Sequence, residues 1–89
     1  MKEIPDLRND IDKIDDKIIE SIFERFKKTE QIGIFKKRNN MESVDMMREA
    51  EQFERFRKKA EKLWLDADLV EKIFKLVIAK AVENHNNMM

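Results

Sequence analysis

From Leu7 onward an apolar residue returns every three or four positions: Leu7, Ile11, Ile14, Ile18 and Ile22. That spacing gathers them into one stripe along an α-helix. Pro5 precedes the stripe, in the first turn, where a residue without an N–H is tolerated. Apart from Gly33, no breaker follows until Asn39-Asn40. The pattern predicts a first helix from Pro5 to Lys37, roughly 50 Å long at about 1.5 Å per residue. Asn39 to Val44 reads as a loop. A second helix begins near Asp45, with Met47, Ala50, Phe53, Phe56, Ala60 and Leu63 expected to face inward. Leu63-Trp64-Leu65 is a short connection, and Asp66 is a good N-cap. The third helix carries Val70, Phe74, Val77 and Ala81 inward and frays into Asn86-Asn87-Met88-Met89.

Composition narrows the fold class. One Gly and one Pro leave little with which to build the turns of a sheet. At 89 residues the chain is one domain, 1–89, all-α, with a long first helix and two shorter ones. The lengths do not match. A first helix that long needs apolar partners along its whole length, which two short helices laid end to end supply badly. Pairing long helices from two chains solves this, so a homodimer is expected.

Charge and special residues exclude several kinds of chemistry. The 19 basic residues are balanced by 19 acidic ones, which argues against a nucleic-acid or membrane-surface binder. There is no cysteine, hence no disulfide, thiolate metal site or Cys nucleophile. A single histidine excludes a His-rich metal centre and argues against a Ser-His-Asp triad. No segment approaches the roughly 20 apolar residues of a membrane span, and the N-terminus has no apolar export run. A soluble cytoplasmic protein is expected.

Some polar positions are poorly explained by a solvated face. Arg25 and Lys36 are eleven residues apart, within about 20° of each other around the helix and roughly 16 Å apart along it. Thr29 and Ile32 share their stripe, and both cations can reach a small molecule placed between them. Gly33 lies beside it, and a mid-helix glycine, which costs about 1 kcal/mol against Ala, often marks close approach of a backbone or ligand. Taken alone, these residues read first as two surface cations and a tolerated glycine. Asp45, Arg48 and Glu49 are neighbours on one face of the second helix. They form either a dipole-friendly start with a local ion pair, or a polar constellation of one cation and two acceptors. His85 continues the inward stripe through Ala81, as a packing residue or at a pocket mouth.

In order and spacing these residues resemble the all-helical AroQ class of chorismate mutases. Leu7-Arg8-x-x-Ile11-Asp12-x-Ile14-Asp15-x-x-Ile18 resembles its first-helix signature. Glu24-Arg25, Gly33-x-x-Lys36, Asp45-x-x-Arg48-Glu49 and Leu65-Asp66 follow without a gap. The resemblance runs from Leu7 to about His85. It implies an intertwined helical homodimer that rearranges chorismate to prephenate, in phenylalanine and tyrosine biosynthesis, by a pericyclic Claisen shift. That reaction requires no nucleophile, metal or cofactor, so none is expected. By position, Arg8, Arg25 and Arg48 resemble the arginines that bind the substrate's two carboxylates, for which a planar guanidinium is well shaped. Lys36 resembles the lysine that donates to the ether oxygen. Asp45 and Glu49 resemble the acceptors of the substrate hydroxyl, and Ile32 resembles an apolar wall. The catalytic set so implied is Lys36, His85 and Arg25. Arg8 lies 17 residues before Arg25, about 25 Å along one helix. If both bind one small dianion, Arg8 comes from the other subunit.

Two positions depart from the family pattern. Ala81 stands where a small hydroxyl residue is usual, and His85 where Gln or Glu is usual. Histidine can still donate a hydrogen bond, as the correct neutral tautomer or as imidazolium. Two other readings share the residues. One is an isochorismate-pyruvate lyase of the same fold, which acts on a related dianion. The other is a weakly active helical dimerisation or regulatory module, to which Phe35, Trp64 and the six methionines could contribute a surface.

Overall fold

The structure, a computed structural model, describes residues 2–42 and 45–87. These form three helices, α1 (Ile4–Arg38), α2 (Met46–Lys62) and α3 (Ala67–Asn87), with no strand among the described residues. The expected all-α, three-helix architecture is what the chain adopts. Ser43 and Val44 of the expected loop, and Met88 and Met89 of the expected frayed end, lie outside the described residues. Asn86 and Asn87, expected to fray, remain helical.

Short acidic side chains start the helices. The Glu3 N–H donates to Asp6 Oδ2 at 3.3 Å, with Pro5 in the first turn of α1. Asp45 Oδ1 accepts the Arg48 N–H at 3.0 Å, and Asp66 Oδ1 accepts from the N–H groups of Asp68 and Leu69 at 2.9 and 3.3 Å. Each bond satisfies a donor that the first turn leaves orphaned. Two helices end without glycine. Asn40 and Trp64 take left-handed φ values of 52° and 58°. The following N–H groups, of Met41 and Leu65, then fold back onto Lys36 O and Ala60 O at 2.8 and 2.9 Å. This is the geometry that usually recruits glycine.

Both α1 and α2 pack against α3, and not against one another, among the described residues. Phe56 of α2 and Phe74 of α3 stack with ring centroids 3.9 Å apart, and Phe53 meets Phe56 edge-on at 5.8 Å. Arg57 ties the same two helices from outside, with Asp68 at 3.0 Å and Glu71 at 3.6 Å. The core is small: among the described residues its buried apolar side chains are Phe56 and Ala60.

One helix face differs from expectation. Met47 is 77% exposed, Leu63 is 61% exposed and Ala50 is also exposed. The inward side of α2 is Glu49, Gln52, Phe53, Phe56 and Ala60 instead. Met47 precedes Phe56 by nine residues, which at about 100° per residue puts it half a turn away, on the opposite face. Leu63 shares the Phe56 face but sits at the C-cap, past the last packed turn. On α3 the expected residues Val70, Phe74, Val77 and Ala81 are all half-buried.

The first half of α1 projects beyond this packing. Leu7, Ile11, Ile14 and Ile18 are each about half exposed, and the chain is 57 Å long but only 14 Å thick. No helix of the described residues is long and apolar enough to cross a membrane.

Candidate active site

Because α1 and α2 lean on α3 without touching each other, a space remains between them. It is a cavity of about 170 Å³. From α1 it receives Arg25, Thr29, Ile32, Gly33 and Lys36. The first two turns of α2 and its N-cap supply Asp45, Arg48, Glu49 and Gln52, and the last turns of α3 supply Ile78, Ala81, Val82 and His85. The structure therefore brings together Arg25, Ile32, Lys36, Asp45, Arg48, Glu49, Ala81 and His85. Arg8 does not join them. It lies 17 residues up α1, about 25 Å away along the axis.

Three cations and two carboxylates line this cavity, yet no ion pair joins any of them among the described residues. Asp45 instead spends Oδ1 on capping α2. The local ion pair that Arg48 could have formed with Asp45 or Glu49 is not made. Arg25 is the most constrained of the cations. One guanidinium nitrogen is buried with no hydrogen-bond partner, and the group sits 5.8 Å from the centroid of the Phe74 ring. Its pKa is pushed down, first by burial, then by the nearby charges of Arg55 and Arg48. A half-buried cation held among like charges, on an aromatic face, favours an anion in the adjoining space.

The α3 wall is mostly apolar, with one polar exception. His85 is 9% exposed and its Nδ1 is buried without a partner. The ring lies against Gly33 of α1. Thr29, on the same stripe as Arg25, turns its hydroxyl back to donate to Phe26 O at 3.1 Å. No side chain of the cavity is arranged as a nucleophile beside a base, since His85 has no bonded carboxylate or hydroxyl among the described residues. The charges and shape of the arrangement suit a small anion.

Sequence reasoning missed Gln52, Ile78 and Val82. Gln52 was detectable, because it follows Arg48 and Glu49 at i+4 and i+3 on the same helix face. Ile78 and Val82 carried no such signal, since apolar residues of a cavity wall resemble those of a core. Each sits one position after a residue of the inward stripe, Ile78 after Val77 and Val82 after Ala81.

Among individual curated proteins the chain matches none. The pattern of a whole family is nevertheless present: the family model for chorismate mutase type II matches residues 7–86, taking in Arg8 and every residue of the cavity, and the chain belongs to that family.

Proposed function

We propose that this chain is a chorismate mutase that works as a homodimer, isomerising chorismate to prephenate in a site built from both subunits. Membership of the family supports chorismate mutase activity in general. The observation that carries the finer reading is the set of unpaired cations, Arg25, Lys36 and Arg48, converging from two helices on one cavity. Unpaired, they remain available to a dianion.

The rearrangement breaks a C–O bond and forms a C–C bond within one molecule, so the protein supplies conformation and charge rather than a reacting group. Arg25 and Arg48 bind the carboxylates of the substrate, completed by Arg8 of the partner subunit, and hold the ends of the molecule close. Lys36 and His85 donate to the ether oxygen, where negative charge grows as the bond breaks. Asp45 keeps one oxygen free of its cap bond, and Glu49 lies one turn further on. Both accept from the substrate hydroxyl. Ile32 shapes the apolar wall, and Ala81 leaves that side of the site without a hydroxyl donor. No metal or cofactor enters the reaction.

Two features support the second subunit. The cavity is smaller than the roughly 300 Å³ at which ligand pockets usually begin, and it lacks Arg8. In addition, the exposed stripe of Leu7, Ile11, Ile14 and Ile18 lies on the same segment of α1 as Arg8. A second copy that covers this stripe therefore carries its own Arg8 into the pairing.

The test is to give the purified protein chorismate and isochorismate separately and follow prephenate, salicylate and pyruvate. Prephenate from chorismate is expected, with Lys36→Ala slower by a factor on the order of a hundred or more. Salicylate and pyruvate from isochorismate, with chorismate untouched, would make the protein a lyase. No turnover of either would leave a regulatory or dimerisation module.

A further inference from the structure

Gly33 is the one glycine of the chain, and it sits in the middle of α1 with an ordinary helical backbone, not a positive φ. Its backbone conformation therefore does not require glycine. The neighbouring helix does. A Cβ at position 33 would lie 2.5 Å from His85 Nδ1 and 3.4 Å from Cε1 and Cγ. The imidazole edge occupies the place where any other side chain would begin.

The edge that fills this place is chemically specific. Nδ1 is buried with no hydrogen-bond partner, on a ring that is 9% exposed. A proton on Nδ1 would be an N–H pressed against α1 with nothing to receive it, which is costly. A bare ring nitrogen needs no donor so urgently and accepts weak contact with backbone C–H groups. In a neutral imidazole the proton then resides on the other nitrogen, Nε2.

We propose that Gly33 is a positioning residue for His85. The missing Cβ seats the Nδ1 edge against α1, keeps the proton on Nε2, and so presents Nε2–H as the group donated to the bound anion. This rests on the mutase reading for the identity of the anion, but the seating and the tautomer stand without it. The glycine leaves room for the imidazole edge at this point of α1. With any Cβ at position 33, the ring must swing away.

The single histidine makes the test clean. Two-bond nitrogen–proton correlation spectra of the neutral ring report which nitrogen carries the proton, with no overlapping signal. The parent protein is expected to show the Nε2–H tautomer, and Gly33→Ala to lose that fixed preference while circular dichroism shows α1 intact. An Nδ1–H tautomer in the parent, or a spectrum unchanged by Gly33→Ala, overturns the proposal. A kinetic cycle gives the second reading. Gly33→Ala is expected to lower kcat for chorismate by a factor on the order of ten or more in the parent, since a small misplacement of a donor is costly. In the His85→Gln background it is expected to change kcat by less than about twofold, because the coupled partner is gone. Equal losses in both backgrounds would mean that Gly33 serves only helix packing. The spectra fail separately from the mutase reading, because they need no turnover.

Discussion

The Arg25 guanidinium has an aromatic ring beside it and other cations near it, with no carboxylate in ion-pair contact among the described residues. The Phe74 face orients the group without neutralising it. A carboxylate in that place would hold the arginine more firmly and compete with an anionic ligand. Removing the charge should therefore abolish function and relieve the fold. Arg25→Ala is expected to lower kcat/KM by a factor on the order of a hundred or more. Its midpoint in urea should equal or exceed the parent's, because an uncompensated, partly buried cation disfavours folding. The pKa shift gives the sign of the pH dependence. A base whose folded pKa is lowered leaves the unfolded chain holding more protons only at strongly alkaline pH. Near neutrality Arg25 is charged in both states, so its penalty is constant there and disappears only as pH rises far above neutral. A clear loss of stability in Arg25→Ala would show that the guanidinium is satisfied. Arg25 was legible in the sequence because eleven residues return a helix to nearly the same angle, which aligned it with Lys36. Its aromatic support was not, since Phe74 looks like any other core phenylalanine at helical spacing.

At the scale of elements, helix starts were easier to read than helix faces and ends. Asp45 and Asp66 cap as their side-chain chemistry dictates, and the helix limits follow from them. The inward face of α2 was misjudged, because Met47 and Ala50 extend a spacing of three that drifts around the helix away from Phe56. Hydrophobicity alone did not reveal that Glu49 and Gln52 face inward, toward a cavity rather than a core. The end of α2 carries a testable strain. Trp64 is 97% exposed and has φ 58°, a left-handed conformation in which glycine is at home. An ordinary side chain there costs about 1–2 kcal/mol, and Trp64 buries almost nothing in return. Trp64→Gly is expected to raise Tm by several degrees, as about 1 kcal/mol does for a domain of this size. A lowered Tm would mean that the indole is covered by something in solution, such as a second chain.

The whole molecule is long and thin, and its apolar residues are divided between a small core and a bare ridge. Phe56, Ala60 and their neighbours hold α2 and α3 together. The ridge on α1, from Leu7 to Ile18, has no partner within the chain among the described residues. The mismatch in helix lengths was visible in the sequence, and the exposed ridge is its structural form. What covers the ridge cannot be read from one chain's periodicity, because a stripe specifies that it be buried and not by what. In the dimer proposed here, each Arg8 leaves its own chain's cavity empty and completes the partner's. The most direct measurement combines two defective chains. Arg8→Ala and Arg25→Ala are each expected to be inactive as homodimers. When they are refolded together in equal amounts, about half of the dimers are mixed, each with one site that keeps both arginines, so about a quarter of all sites are intact. Chorismate consumption is predicted to return in the mixture toward that fraction of the parent rate. A mixture that contains mixed dimers and stays as inactive as its components would contradict a site shared between two subunits.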